Sequence, residues 1–337
     1  MPTQPQAPVD TPVPAPIDVD AVVLVGGQGT RLRPLTLSAP KPMLPTAGVP
    51  FLEHLLSRIH QVGIRHVVLG TSYKAETFTE YFGDGSAAGL DIEYLVEDEP
   101  LGTGGAIRNV AGRLRADTVM VFNGDILSGL DLSALLATHH DNNADVTLHL
   151  VRVPDPRAFG SVPTDPDGRV QAFLEKTDNP PTDQINAGCY VFRRSVLESI
   201  PAGRVVSVER ETFPGLLAAG ARVFGQVDAS YWLDLGTPAA FVRGSADLVT
   251  GIAPTDALPG PNGPALVLPG AAVAGDATVS GGSTIGRDVV VGAGAVVDGA
   301  VVFDGAVIGA RCELISGVRV WPGVELPAGA VRFSADG

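Results

Sequence analysis

Residues 24–43 read Leu-Val-Gly-Gly-Gln-Gly-Thr-Arg-Leu-Arg-Pro-Leu-Thr-Leu-Ser-Ala-Pro-Lys-Pro-Met. Gly26, Gly27 and Gly29 let the backbone approach a ligand closely and turn its N–H groups toward it. Arg31 and Lys41 add positive charge just downstream. Together they describe a cradle for a polyphosphate. Two familiar phosphate loops are excluded by spacing. Walker A needs Gly-x-x-x-x-Gly-Lys-Ser/Thr, and no Lys follows these glycines at that distance. The dinucleotide fingerprint opens with Gly27-Gln28-Gly29, but Leu32 stands where its third glycine belongs.

The loop follows an apolar run, Ala21–Val25, that predicts a buried parallel strand. Further strand-like runs at 67–70, 92–96 and 119–122 alternate with helical patterns at 51–59, 74–82 and 105–115. This βαβ rhythm predicts an α/β, Rossmann-like domain with a mainly parallel mixed sheet, which binds ligands beyond the carboxyl ends of its strands. The rhythm stops near residue 252. After a Pro/Gly/Ala-rich linker a six-residue repeat begins, with aliphatic residues at Val267, Val273, Val279, Ile285, Val291 and Val297. After a slip of one residue it resumes at Val302, Ile308, Leu314, Val320 and Leu326. Small or β-branched residues sit two positions earlier, among them Ala271, Ala277, Ala295, Ala306 and Cys312. No hexad can bury anything alone, so stacking must supply the core. The expected organisation is a disordered Pro-rich leader (1–18), a catalytic domain (19–251), a linker (252–264), a hexad domain (265–331) and a tail (332–337).

A net charge of -14 argues against nucleic-acid or acidic-membrane binding, so an anionic ligand must be drawn by local cations. Two cysteines make no disulfide framework, no apolar run is long enough to span a membrane, and the first 18 residues hold six prolines and no Lys or Arg. A cytoplasmic protein is expected.

The run Gly-Gly-x-Gly-Thr-Arg-Leu-x-Pro-Leu-Thr followed by Pro-Lys-Pro resembles the signature of the sugar-1-phosphate nucleotidyltransferases. Further segments resemble that family in order: Glu99-Pro100-Leu101-Gly102-Thr103, Phe122-Asn123-Gly124-Asp125, Phe159-Gly160-Ser161-Val162, Glu175-Lys176, Asn186-Ala187-Gly188 and Tyr231–Pro238. The hexads resemble those of left-handed parallel β-helices, common at the C-terminus of this family. The mannose-1-phosphate guanylyltransferases are the branch most resembled.

The resemblance implies attack by a sugar phosphate oxygen on the α-phosphorus of a nucleoside triphosphate, with pyrophosphate leaving. Two anions must meet, so charge neutralisation and positioning dominate. Arg31 and Lys41 are the implied catalytic cations. Val25, Gly26, Gly27, Gly29, Thr30, Glu97, Gly102 and Thr103 are implied to bind the nucleotide. Gly160, Glu175, Lys176 and Asn186 are implied to bind the sugar phosphate, with Gly160 leaving room for the ring. Asp125 and Asp234 are implied ligands of Mg2+, which prefers oxygen donors and bridges phosphates. GTP and mannose-1-phosphate are the expected substrates, and the β-helix is the expected surface for a homo-oligomer. Glu97 carries the base assignment. Relatives using thymidine or uridine nucleotides commonly have Gln five residues before the second-loop glycine, and a carboxylate there could accept both N1–H and N2–H of guanine.

Other readings stay open. A thymidylyl- or adenylyltransferase acting on glucose-1-phosphate uses the same chemistry. A non-catalytic subunit is argued against by the presence of Arg31, Lys41, Asp125 and Asp234. An acyl-transferring β-helix generally needs a histidine base, and all six histidines lie at or before His149. Thr177 and Phe159 depart from the Pro and Tyr many relatives carry, both near the implied sugar pocket.

Overall fold

A computed structural model describes residues 14–27, 29–33, 35–37, 39–72, 74–97, 99–258 and 263–333. Most of the expected leader, residues 259–262 of the expected linker and the last four residues of the expected tail lie outside the described residues. The chain forms two compact units. The first comprises the described residues within Met1–Gln28, Leu55–Ile126 and Leu130–Trp232; the second comprises those within Gly29–His54, Leu127–Gly129 and Leu233–Gly337.

Unit 1 is built on a mixed sheet. Its strands are β1 (Asp20–Leu24), β2 (His66–Thr71), β3 (Asp91–Val96), β4 (Thr118–Asn123), β5 (Val146–Arg152), β6 (Gly160–Ser161), β7 (Leu174–Glu175), β8 (Gln184–Arg193) and β9 (Val223–Asp228). The order among the described residues is β7-β6-β8-β4-β1-β2-β3, with β5 joining β8 to β9. Strands β4, β1, β2 and β3 run parallel; β4, β1 and β2 are largely buried, as aliphatic runs covered on both faces must be, while β3, at the edge of the sheet, is fully buried at Ile92 alone. β8 runs antiparallel to both β4 and β5, while β9 is parallel to β5. The four apolar runs read from the sequence are therefore β1 to β4. The expected helices appear at Phe51–Gln61, Ala75–Phe82 and Gly102–Val110, the last continued by a tight turn over Ala111–Arg113. One core face gathers Val22, Val68, Val121 and Leu148 with a cluster of aromatic rings. In that cluster Phe213 lies 5.3 Å from Tyr190 and 6.1 Å from Phe192, ring centre to centre.

Unit 2 contains a left-handed parallel β-helix. Its three rows begin at Ala265–Val267, Ala272–Val273 and Thr278–Ser280, and each row stacks four short strands. The inward positions are those of the hexad pattern: Ile285, Val291, Val297, Val302, Ile308 and Leu314 form the core with Val289, Ala295, Ala300, Ala306 and Cys312. Val267 is the departure, half-exposed in the first coil. The one-residue slip has a definite place. Ser280 pairs with Asp298, yet Thr284 pairs with Val301, so the corner between them loses a residue. The earlier corner is Gly281-Gly282, whereas the later one has Gly299 alone, at φ 61°. Pairing then continues one residue short through Val290↔Val307 and Val296↔Glu313, and the following coil regains full length at Val301↔Arg319.

Within unit 2 the first coils rest on a helix, Pro238–Thr250. Its ends are readable from the sequence: Thr237 caps the Ala240 N–H at 3.2 Å, Pro238 opens the first turn, and Gly251 closes it at φ 79°. Phe241 of this helix stacks on Phe303, which stacks on Trp321. Gly282 lies against the same helix. Its φ is +73°, and a Cβ there would sit 2.7 Å from the Ala246 Cα and carbonyl oxygen. Gly282→Ala combines a disfavoured backbone conformation with a clash against backbone. It should lower stability by about 2 kcal/mol or more in denaturant unfolding; an unchanged midpoint would show that this corner is not tightly packed.

Candidate active site

In unit 1, β1 and β4 stay in register to their last residues, Leu24 opposite Asn123. Beyond them Gly124 donates its N–H to the Leu24 carbonyl at 2.9 Å. A Cβ at Gly124 would lie 2.7 Å from Val25 Cγ1 and 2.8 Å from the Leu24 oxygen, so only glycine permits this approach. Val25 is tied on its other side to the Gly70 carbonyl at 3.0 Å. Gly26 and Gly27 therefore emerge, exposed, beside Asp125. Gly27 has φ 116°, outside the range side-chain-bearing residues favour. Because β8 is antiparallel to β4, its start comes to this same edge. Gly188 approaches so closely that a Cβ would lie 2.8 Å from Asn123 Nδ2, where a bulge interrupts the β5–β8 pairing. The structure thus gathers Val25, Gly26, Gly27, Asp125 and Asn186 at the carboxyl edge, where open α/β sheets bind ligands.

Glu97 follows β3. Its Oε2 accepts the Leu101 N–H at 3.4 Å, while Oε1 is buried with no partner among the described residues. Burial pushes its pKa up and the Leu101 N–H pulls it partly back. Gly102 turns at φ 71° against the Val206 carbonyl, 2.6 Å from where a Cβ would stand. Thr103 is engaged inside the protein. Its hydroxyl donates to Glu209 Oε2 at 2.7 Å and accepts the Val208 N–H at 3.0 Å. Glu209 also takes the Ser207 hydroxyl, again at 2.7 Å.

The implied sugar residues show similar commitments. Glu175 pairs with Gly160 between β6 and β7. A Cβ at Gly160 would meet the Phe173 ring at 2.8 Å and Glu175 Oε2 at 2.9 Å, so within unit 1 this glycine makes room for protein groups. Glu175 has a raised pKa, first through burial and then through the negative charge of Glu209; Lys176 and Arg210 oppose the shift. Lys176 has a left-handed backbone, φ 52°, and an exposed side chain whose Nζ lies 3.7 Å from Glu175 Oε1. Asn186 donates from Nδ2 to the Tyr190 hydroxyl at 2.8 Å and accepts the Gly188 N–H at 3.2 Å, holding the bulge.

Unit 2 holds the remaining motif residues. Gly29, at φ 55°, starts a tight turn over Thr30–Leu32 that buries Leu32 and leaves Arg31 exposed. The Thr36 hydroxyl donates to the Gly29 carbonyl at 2.9 Å, and a Cβ on Gly29 would press on Thr36 and on Lys41 Cβ. Lys41 is 9% exposed and its Nζ lies 3.5 Å from Asp234 Oδ1. Gly236 completes the group: a Cβ there would lie 3.0 Å from both Arg31 Nη2 and Asp234 Oδ1. Arg31, Lys41 and Asp234, far apart in sequence, are thus brought together in one unit. Glu209 is the residue that motif reading missed. No spacing rule marks it, and only its tie to Thr103 reveals it.

Among the described residues no three His, Cys, Asp or Glu side chains are grouped to hold a metal. The donors expected for one, Asp125 and Asp234, are oxygen-only. That chemistry fits Mg2+, which is commonly bound through one or two carboxylates with substrate phosphates and waters completing the shell.

Residues 20–251 match the nucleotidyl transferase family. The chain belongs to that family. It is 62% identical over 353 residues to a protein of Mycobacterium tuberculosis (strain ATCC 25618 / H37Rv) named mannose-1-phosphate guanylyltransferase, an alignment covering 94% of this chain and 98% of that one. It is 36% identical over 227 residues to a mannose-1-phosphate guanylyltransferase catalytic subunit beta of Drosophila pseudoobscura pseudoobscura, covering 66% of this chain and 61% of the relative. Among solved structures, HddC from Yersinia pseudotuberculosis aligns at 30% identity with a TM-score of 0.59, covering 67% of this chain and 97% of that one, and has also been solved complexed with GMP-PN. A putative glucose-1-phosphate thymidylyltransferase from Bacillus anthracis shares the fold at a TM-score of 0.62 and 22% identity, covering 68% and 94%.

The raised pKa of Glu97 makes a stability prediction. Its carboxyl binds a proton more tightly folded than unfolded, so the folded state loses stability as pH rises from the unfolded value through the raised folded value, and no further beyond it. Glu97→Gln, measured against the parent by denaturant unfolding, should gain relative stability across that window and hold the gain at neutral pH. A pH-independent difference would show that the carboxyl is not desolvated.

Proposed function

We propose that the protein makes GDP-mannose and pyrophosphate from GTP and mannose-1-phosphate. The observation that carries this reading is the 62% identity running over 94% of the chain. A phosphate oxygen of mannose-1-phosphate attacks the α-phosphorus of GTP. The new bond is from that oxygen to phosphorus; the bond that breaks joins the α-phosphorus to the oxygen bridging to the β-phosphate, and pyrophosphate departs with the electron pair. The sugar phosphate is the nucleophile, so no side chain need form a covalent intermediate.

The glycines at 26, 27 and 29, with Val25 and Thr30, serve as the backbone cradle for the triphosphate. Arg31, with its planar fork of donors, holds the β- and γ-phosphates and stabilises charge on the leaving group. Lys41 supplies a point charge held in place by Asp234 and by the flanking prolines. Asp125 and Asp234 would hold Mg2+, which when bound neutralises phosphate charge. Gly102 and Thr103 shape the second nucleotide loop. Glu97 reads guanine, its unpartnered Oε1 suited to accept from a base edge. Lys176 draws the sugar phosphate, while Glu175 and Asn186 border the sugar beside Gly160. We also propose residues 19–251 as the transferase domain and 265–331 as the β-helix, a homo-oligomer assembled through the β-helix, and a cytoplasmic setting in keeping with the two soluble substrates.

Release of pyrophosphate with each triphosphate and sugar phosphate tests the assignment. Turnover should be strong with GTP and mannose-1-phosphate; strong turnover with dTTP and glucose-1-phosphate but none with GTP would overturn it. Glu97→Gln should lower kcat/KM for GTP by about tenfold or more, since one guanine donor loses its acceptor, and an unchanged value would remove Glu97 from the base site.

Asp125→Asn and Asp234→Asn should each reduce turnover by about two orders of magnitude with the circular dichroism spectrum intact. Activity within a few-fold of the parent would take that residue out of the metal site.

A further inference from the structure

Unit 1 has a second concavity at the edge of its sheet away from Asp125. β4 begins there at Thr118 and β8 ends there at Arg193, which pair with each other. Strand β4 separates this edge from the carboxyl edge by about 17 Å at ~3.3 Å per residue. The cavity measures about 450 Å³ and is lined by Asp117, Thr118, His139, His140, Asn143, Arg193, Arg194 and Ser195. That is within the size range of small-ligand sites.

Its wall carries two arginines and two histidines. His139 and His140 end the helix Leu132–Asp141 with their rings 5.8 Å apart, and Arg193 and Arg194 stand together where β8 passes into the helix Arg194–Ser199. Arg193 is fixed by backbone: its Nε donates to the Ala144 carbonyl at 2.7 Å and its Nη2 to the Asn143 carbonyl at 2.9 Å, with Asp145 at 3.6 Å. Arg194 is held by Glu198, its Nε 2.9 Å from the carboxylate. His139 is buried and donates or accepts at Nδ1 with the Thr147 hydroxyl at 3.0 Å. Its pKa is pushed down to about 4 by burial and then by the positive charges of His140 and Arg193, with Asp145 opposing them. Arg193 and Arg194 put two guanidinium groups on one wall, where an anion would gain from both, and the neutral ring of His139 can join only as a hydrogen-bonding group. Asp117, Thr118, Asn143 and Ser195 offer hydroxyl-binding groups beside them.

We propose that this cavity binds a phosphorylated small molecule of about hexose size, its phosphate on Arg194, His140 and His139 and its hydroxyls toward Asp117 and Asn143. The site is separate from the proposed nucleotidyl-transfer chemistry and does not depend on it. The test uses the full chain with 13C-labelled histidine rings, titrated with a hexose 6-phosphate at constant ionic strength. All six histidines then report, at positions 54, 60, 66, 139, 140 and 149. The signals of His139 and His140 should shift along one saturating curve while the other four stay still. Arg194→Ala and His140→Ala should each weaken binding about tenfold while leaving pyrophosphate release unchanged. A non-saturating shift, an equal response to the free hexose, or unweakened binding in both variants would overturn the proposal.

Discussion

The arrangement of unit 1 depends on one close approach. The ends of β1 and β4 are drawn together by the Gly124 N–H on the Leu24 carbonyl, in a space with no room for a Cβ. Any larger residue at 124 would push against Val25 and the Leu24 oxygen, and a shift there would move two things at once. Gly26 and Gly27 leave β1 from this point, and Asp125 leaves β4 from it. The carboxyl edge is therefore positioned by backbone hydrogen bonds and by the absence of a side chain, which costs little flexibility because both strands are buried on either face. Gly188 repeats the device from β8, pressed against Asn123.

Unit 2 solves a different problem, that of holding a cation where water is scarce. Lys41 is nearly buried, and a lone ammonium there would be costly. Asp234 at 3.5 Å offsets that cost and fixes the side chain. The Asp234 side chain is 26% exposed, so the pair sits at the margin of the interior, not deep within it. Gly236 keeps the neighbouring space open for the Arg31 guanidinium. The glycines at 29 and 236 thus set the spacing of charges, and the tight turn at Thr30–Leu32 anchors Arg31 through the buried Leu32.

The elements were largely legible because they follow periodicity. Aliphatic runs marked β1 to β4, and the hexads marked nearly every inward position of the β-helix, including Cys312 in a slot filled elsewhere by small or β-branched residues. Even the slip of one residue was visible, though not its cause: a corner built on Gly299 alone, where the coil before it uses Gly281-Gly282. What could not be read was the engagement of individual polar side chains. Thr103 sits in a nucleotide-loop motif, yet its hydroxyl is tied to Glu209 and Val208. Asn186 holds a bulge through Tyr190 and Gly188. Gly160 makes room for Phe173 and Glu175. Such pairings join residues distant in sequence and leave no local pattern, so motif order alone conveys them poorly.

The same pairings explain how an acidic chain can keep carboxylates close together. Burial, and after it repulsion from Glu209, raises the Glu175 pKa, and the arrangement persists because each carboxylate has compensation. Glu209 accepts two hydroxyls at 2.7 Å, while Glu175 faces Lys176 and Arg210. Glu97 has less among the described residues: one long hydrogen bond from Leu101 and a buried oxygen with none. An uncompensated carboxylate is a destabilising feature that a purely structural role would not require, since glutamine could keep the Leu101 contact at lower cost. That cost, beside the second loop, is the physical support for the proposal that Glu97 reads the base.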